Sequence, residues 1–266
     1  MVAFRKHSIV CLALVTFLLF PVGVRAHVAS GCGGCGAAYF HTCAQRFCNK
    51  VDSFPGWTQS FCDGCSGCSQ DYYRRSASGG SENSYVDSTD IHFRNSHCTT
   101  AYDSFWGMTL SGIPCSDGVV TPGEVYDSWG DNNLEWIGSK CCSLLRDSSK
   151  GYWATAMDGL HLILGYKTSS YGATNFGKIW AEKMRETEIH ILWWTFTIPS
   201  QTVTQAWFTA TDLTQPSGTV ARVLAETDNC YNDPLWGNGY TSPDPVDDSW
   251  YWWWDHSAGS PEYLPV

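Results

Sequence analysis

Two short stretches decide the fold of this chain: DIHFRNSHC at Asp90–Cys98 and LEWIGSKCCSL at Leu134–Leu144. Each predicts a short strand that ends on a reactive side chain, which is His97 in the first stretch and Cys142 in the second. In open α/β sheets, chemistry collects just beyond the carboxyl ends of the strands. A histidine and a cysteine that neighbouring strands deliver to that edge can form a thiol nucleophile with its acid/base partner.

Strand-like and helical segments alternate along the rest of the chain. The apolar residues of 39–51 recur at helical spacing, and the short apolar run Leu160–Tyr166 predicts a buried strand. Two more helices are expected after Thr174 and Ser200, whose hydroxyls can cap them, and Val220–Ala225 predicts another strand. Strands that alternate with helices favour an α/β fold with a mainly parallel sheet covered on both faces.

Three segments lack this periodicity. Residues 27–36 are rich in glycine and cysteine, and the stretch from Gly107 to Gly118 is interrupted by glycine and proline, so we expect both to be irregular. Beyond Asp228 the chain is rich in Pro, Gly, Asn, Asp and Trp, with one strand-like aromatic segment at Trp250–Trp254. This composition predicts a loop-rich C-terminal part.

The N-terminus has the layout of a secretory signal peptide. Arg5 and Lys6 precede an apolar run at Ile9–Val24, and the small residue Ala26 suits cleavage, so residues 1–26 are expected to be removed. No second apolar run approaches the ~18 to 20 residues that a membrane span needs. We therefore expect a secreted, extracytoplasmic protein with no membrane span after cleavage.

The expected mature chain is acidic and long enough for one large domain. Removing the three basic residues of the leader changes the formal net charge from −10 to −13, which argues against nucleic acid as a partner. We expect an α/β domain at 27–240, of which 27–70 is cysteine-rich, followed by an aromatic, loop-rich tail at 241–266.

Twelve cysteines remain once the leader is removed, and an even number in an exported chain favours disulfides. The spacings Cys32-x-x-Cys35 and Cys62-x-x-Cys65-x-x-Cys68 also suit zinc or an iron–sulfur cluster. Export makes disulfides the better interpretation, so no metal and no cofactor are expected. The disulfide candidates are Cys32, Cys35, Cys43, Cys48, Cys62, Cys65, Cys68, Cys115 and Cys230.

Four segments, taken in order, resemble an uncharacterised secreted prokaryotic domain family whose members are similar to caspase/gingipain-type cysteine peptidases. The segments are Asn83–His97, Leu134–Leu145, Gly159–Tyr166 and Gln205–Phe208, and the resemblance covers most of residues 38–240. It implies a caspase-like, three-layer α/β/α sandwich with a mainly parallel sheet, to which this chain adds a disulfide-rich N-terminal region.

The resemblance also assigns roles to residues. In the caspase-like fold a His-Gly pair ends one strand, and an Ala-Cys or Ser-Cys pair ends the adjacent one, so His97 and Cys142 take the catalytic positions. Cys141 takes the position of the small residue and is the alternative nucleophile. Cys98 stands where the pattern has glycine, a residue that tolerates backbone angles costly for others.

These residues predict a mechanism and leave one alternative open. Cys142 would attack a carbonyl, His97 would protonate the leaving amine, and the backbone N–H groups of Cys98 and Cys142 would stabilise the oxyanion. In an oxidising compartment the Cys98 sulfur can bond to Cys141 or Cys142 and lock the site. We expect a secreted caspase-like cysteine peptidase or hydrolase acting on a peptide or protein. The alternative is a catalytically inactive relative that serves as a disulfide-rich binding or structural protein.

Overall fold

The computed structural model describes residues 26–246 and 250–259, so the predicted signal peptide lies outside the described residues apart from Ala26. The strands are β1 (His27–Gly33), β2 (Trp57–Asp63), β3 (Ile91–Asn95), β4 (Thr99–Asp103), β5 (Met108–Pro114), β6 (Val119–Val120), β7 (Trp136–Lys140), β8 (Leu162–Tyr166), β9 (Thr187–Ile191), β10 (Trp194–Ile198), β11 (Val220–Ala225) and β12 (Trp252–Ser257). The helices are α1 (Ala38–Asp52), α2 (Lys150–Ala154), α3 (Phe176–Lys183) and α4 (Val203–Thr214). Within the described ranges, no helix is long and apolar enough to cross a bilayer.

A seven-stranded sheet with the order β12-β11-β8-β7-β3-β1-β2 organises the molecule. The strands β2, β1, β3, β7 and β8 are parallel, whereas β11 is antiparallel to β8 and β12 is antiparallel to β11. The predicted α/β fold with a mainly parallel sheet is therefore confirmed. All the parallel strands end at one edge, called the carboxyl edge below, and begin at the opposite one, the amino edge.

The two faces of the sheet bury separate apolar clusters. Along β3, Ile91 and Phe93 face a layer in which α1 packs on α3 and α3 packs on α4. The intervening His92 bonds to Tyr73 on the other face, where α2, the short strands β4–β6 and several one-turn helices form the cover. This alternation follows from the period-two geometry of a strand. One face thus has a helical layer, and the second has a mostly irregular one.

The structure corrects the expectation that residues 27–36 are irregular. Residues 27–33 form β1, which lies between β2 and β3. Glycines are required here because a Cβ at Gly33 would lie 2.2 Å from the His41 Cα, and one at Gly31 would lie 2.6 Å from the Cys48 sulfur. Glycine at these positions therefore makes room for α1. A prediction based on alternating apolar residues does not detect such a strand.

The bounds of several other elements differ from those that the sequence predicted. The stretch Gly107–Gly118 is not simply a loop, because it contains β5, which pairs with β6 immediately after Gly118. The helix expected after Ser200 is capped instead by Thr202, whose hydroxyl accepts a hydrogen bond from the Gln205 N–H. Asn175, rather than Thr174, precedes α3. The strand-like aromatic segment expected at Trp250–Trp254 does form a strand, β12, which begins two residues later and extends the sheet beyond β11.

The hairpin of β9 and β10 was not predicted. Its cross-strand pairs Ile191–Trp194 and Ile189–Phe196 lie on one face, and His190–Thr195 lies on the other. Both strands are exposed to solvent along their whole length. The hairpin adds little to the buried core, and the sheet that positions the site does not depend on it.

The buried carboxyl group of Asp87 makes the stability of the fold sensitive to pH. Burial and the neighbouring Asp131 raise the pKa of Asp87 to about 8, despite a hydrogen bond of 2.8 Å from the Gly130 N–H. In an unfolded chain the pKa of Asp is about 3.9. The folded state therefore holds an extra proton between about pH 4 and pH 8, and stability that is present below this window is lost as the pH rises through it.

We expect Asp87→Asn to flatten this profile, because the amide keeps an acceptor for the Gly130 N–H and has no charge to bury. Urea unfolding at pH 5 and pH 8 should show the variant gaining stability relative to wild type as the pH rises. Asp71→Asn, at an exposed aspartate, is the matched control and should follow the wild-type profile. Parallel profiles for Asp87→Asn and wild type would contradict the assignment.

Candidate active site

The carboxyl edge brings His97 and Cys142 to the ends of neighbouring strands. β3 pairs with β7 in parallel, and Asn95 lies opposite Lys140 at the end of the ladder. The Ser96 N–H donates to the Lys140 carbonyl at 3.2 Å and continues the pairing by one residue. Because His97 and Cys142 each stand two residues beyond this last pair, both leave the sheet at the same edge.

A disulfide joins the two strands between these residues. Cys98 bonds to Cys141, and their Cα atoms are 5.1 Å apart. Cys141 is buried on the face that carries the irregular layer, whereas Cys98 is half-buried. A sulfur held in a disulfide is not a thiolate, so Cys141 is no nucleophile in this state. The disulfide leaves the adjacent Cys142 with a free thiol.

Cys142 is one of two half-buried free thiols among the described residues, the other being Cys62. Its sulfur accepts a hydrogen bond of 3.3 Å from the Ser170 N–H and lies 3.2 Å from the carbonyl oxygen of the same residue. The Ser170 backbone thus contacts the sulfur through both its N–H and its carbonyl oxygen. The loop after β8 therefore holds Cys142 in one orientation.

The residue after Cys142 adopts a conformation uncommon for its type. Ser143 has a φ of +55°, in the left-handed region that favours glycine, and its N–H donates to the Thr168 carbonyl at 2.9 Å. Such backbone conformations cluster at functional sites because the surrounding structure must hold them in place. The turn at Ser143 takes the chain sharply away from β7 immediately after Cys142.

His97 is exposed, and its ring packs edge-on against Phe40, with ring centroids 4.7 Å apart. Gly36 also lies beside the ring, since a Cβ there would be 3.5 Å from a ring carbon of His97, an ordinary contact distance. No hydrogen bond joins the His97 ring to Cys142 or to any other part of the described chain. The structure thus supplies two candidate groups at one edge without an orienting carboxylate.

The backbone donors proposed for the oxyanion have no competing acceptor. Among the described residues, neither the Cys98 N–H nor the Cys142 N–H donates a hydrogen bond to a protein group. A free N–H beside a nucleophile is the feature that an oxyanion hole requires. Neither donor is therefore occupied by another group of the described chain.

Lys140 is a component of this edge that sequence reasoning missed. Its side chain is almost fully buried, and its ammonium donates to the Tyr171 carbonyl at 2.6 Å. Burial lowers the pKa of Lys140, and the nearby sulfurs of Cys43 and Cys142 oppose this shift. A lysine inside an otherwise buried strand was the available signal, because burying an ammonium is costly without a partner.

A surface depression of about 520 Å³ lies beside His97 and between the ends of β1 and β2, where small residues dominate its lining: Gly34, Gly36, Ala37, Ala38, Gly64 and Cys65, with His41 at one side. The disulfide Cys35–Cys65 joins the segments that follow the two strands. Several buried polar atoms near this edge have no hydrogen-bond partner in the described chain: Asn95 Oδ1, Ser96 Oγ, Ser139 Oγ and His41 Nδ1.

The remaining disulfide candidates carry free thiols in this structure. They are Cys32, Cys43, Cys48, Cys62, Cys68, Cys115 and Cys230. Cys68 lies near Cys32 and Cys115, where the buried Arg94 guanidinium donates to its sulfur and, at 3.1 Å, to the Tyr73 hydroxyl. Cys230 stands apart from these groups, at the amino edge of the sheet.

The arrangement is that of a mixed α/β protein with a histidine and a free thiol at the carboxyl edge of its sheet. The sequence profile of a family described as "Domain of unknown function (DUF6345)" matches residues 29–256, and the chain belongs to this family. No curated protein matches the chain.

Proposed function

We propose that this chain is a secreted, caspase-like thiol hydrolase that cleaves a peptide or protein, and that the Cys98–Cys141 disulfide controls its activity. The observation that carries the proposal is the position of the free Cys142 thiol, two residues beyond a strand paired with the one that precedes His97. In the caspase-like three-layer fold, the histidine and the cysteine likewise follow adjacent strands. The two disulfides suit an extracytoplasmic location, because such bonds are rare in the cytosol.

Each group has a defined task in the proposed reaction. The Cys142 thiolate attacks the scissile carbonyl carbon, and the N–H groups of Cys98 and Cys142 donate to the oxygen that becomes negative. His97 gives a proton to the leaving amine and then takes one from the water that hydrolyses the thioester. The depression beside His97 accepts the substrate chain.

The disulfide is proposed to act as a redox lock. Cys98 stands where the caspase-like pattern has glycine, and its bond to Cys141 fixes the backbone that follows His97. Two small-molecule thiols would reduce the bond, leaving two protein thiols and one external disulfide. Reduction then allows His97 and the Cys98 N–H to approach a substrate.

The test is hydrolysis of a fluorogenic peptide library by the mature protein with and without reductant. We expect the wild-type protein to hydrolyse peptide only when reductant is present. We expect Cys98→Gly to hydrolyse peptide both with and without reductant. A 43-residue separation between the bonded cysteines corresponds to about 4 kcal/mol of chain-entropy stabilisation. Circular dichroism must therefore show that the reduced proteins remain folded.

Two outcomes would decide against the lock or the enzyme. Equal activity of the oxidised and reduced wild type would remove the regulatory part of the proposal. Absence of turnover in folded, reduced wild type and in Cys98→Gly would favour the second candidate function, a non-catalytic relative that binds a partner. The observation that favours a non-catalytic relative is the absence of a hydrogen bond between His97 and Cys142.

A further inference from the structure

A second group of reactive side chains lies at the amino edge of the sheet, opposite His97 and Cys142. His161 immediately precedes β8, and Glu135 immediately precedes β7. The antiparallel β11 ends at this edge and leads into a short helix, Asp228–Asn232, which presents Cys230 and is followed by Asp233. The proposed hydrolysis does not involve these residues.

Three of these side chains form a compact set. One ring nitrogen of His161, the Cys230 sulfur and a carboxylate oxygen of Asp233 lie within 4.8 Å of one another, and all three residues are buried. His161 Nδ1 is 2.6 Å from Asp233 Oδ2, while Asp233 Oδ1 accepts the Ser242 N–H at 2.9 Å. The second contact holds the carboxylate in place and leaves its other oxygen directed at the histidine.

The other side of the His161 ring is incompletely satisfied. Its Nε2 lies 3.0 Å from Glu135 Oε2 and 3.7 Å from Asp244 Oδ1. Neither the Nε2 nor the Glu135 Oε2 has hydrogen-bond geometry with any described group, although both atoms are buried. The ring nitrogen and the Glu135 carboxylate therefore lie at ion-pair distance without a formed hydrogen bond.

We propose that His161, Cys230 and Asp233 bind a zinc ion, with Glu135 orienting the imidazole ring. Thiolate, imidazole and carboxylate together form a donor set that zinc accepts, and three protein ligands leave a fourth tetrahedral position for water. A ligating histidine commonly donates its second ring N–H to a carboxylate, which is the position that Glu135 occupies. The ion would take the place of the proton between Nδ1 and Asp233 Oδ2.

The geometry needs only a small adjustment. Tetrahedral zinc with bonds of about 2.0 to 2.1 Å separates neighbouring nitrogen and oxygen ligands by roughly 3.3 Å. The Nδ1 and Oδ2 atoms, now 2.6 Å apart, would open by about 0.7 Å, and the Cys230 sulfur would move inward. The exposed Asp244 and the half-buried Glu135 make the rim of the site acidic, which attracts a cation. The proposal departs from the expectation, drawn from the cysteine pattern, that the chain holds no metal.

The experiment titrates Zn²⁺ into chelator-treated, reduced full-length mature protein against a chromophoric chelator, and repeats the titration with Co²⁺. We expect one tight site per chain and a sulfur-to-cobalt charge-transfer band. Cys230→Ser and Asp233→Asn should each weaken binding at least about 100-fold, and Glu135→Gln should weaken it about 10-fold. Cys43→Ser, which removes another buried free thiol, and Cys142→Ala should leave the tight site unchanged.

Three results would overturn the proposal. These are the absence of a stoichiometric site in wild type, a wild-type cobalt complex without the sulfur band, and loss of the tight site in Cys43→Ser or Cys142→Ala. The wild-type measurements decide the matter even where a ligand variant fails to fold. Circular dichroism of each metal-free variant identifies such cases.

Discussion

Cys142→Ala should lower the rate of peptide hydrolysis by at least about a thousand-fold in the presence of reductant, because it removes the atom that attacks the carbonyl. His97→Ala should cause a loss of similar size, since a nucleophile and its acid/base partner act as a unit. The measurement is kcat/KM on the best substrate of the peptide library, with the Cys98–Cys141 disulfide reduced.

The matched control is Cys62→Ala, which removes the other half-buried free thiol at a position on β2, away from the pair. It should retain wild-type activity, and all variants should unfold at the same urea concentration as wild type. Equal rates for Cys142→Ala and wild type would show that any hydrolysis in the preparation comes from elsewhere. A loss in Cys62→Ala as large as that in Cys142→Ala would show that the assay reports general thiol effects.

Trp180→Ala should reduce the free energy of unfolding by about 3–5 kcal/mol, the range for deleting a large aromatic side chain from a core. Trp180 is fully buried on α3 and packs on Phe47 and Trp207, with ring centroids 5.1 and 5.0 Å away. Its indole N–H donates to the Val203 carbonyl at 3.1 Å, so truncation also leaves a buried acceptor unpaired.

Equilibrium urea unfolding, followed by circular dichroism, measures this change. Trp193→Ala is the matched control, because Trp193 lies at the turn between β9 and β10 with 81% of its surface exposed. It should change stability by no more than about 0.5 kcal/mol. Equal destabilisation by the two substitutions would mean that the contacts of Trp180 do not hold the helical layer on the sheet.

The elements that could be predicted are those whose apolar pattern is set by the sheet itself. β3, β7 and β8 are fully buried strands, and their sequences signal this directly. β1 was not predicted because Gly31 and Gly33 make room for α1 and contribute no apolar surface. The hairpin of β9 and β10 was not predicted because its strands are exposed and therefore have no buried face that a sequence pattern could reveal.

The groups at the two edges of the sheet also differ in whether a local sequence pattern reveals them. His97 and Cys142 could be found because each directly follows a recognisable strand. Lys140 was missed because its partner, the Tyr171 carbonyl, lies in a loop far along the chain. The amino-edge group was missed because His161 and Asp233 are 72 residues apart and are brought together by the reversal of β11, which a local pattern does not encode.

The length of β7 determines how far these two edges can influence each other. The strand runs five residues from Trp136 to Lys140, or roughly 17 Å at about 3.3 Å per residue, with Glu135 before it and Cys142 beyond it. That separation is several times longer than a hydrogen bond or a metal–ligand bond. The two proposed sites therefore share no ligand and no hydrogen bond, and a substitution at one end of β7 is expected to leave the side chains at the other end in place.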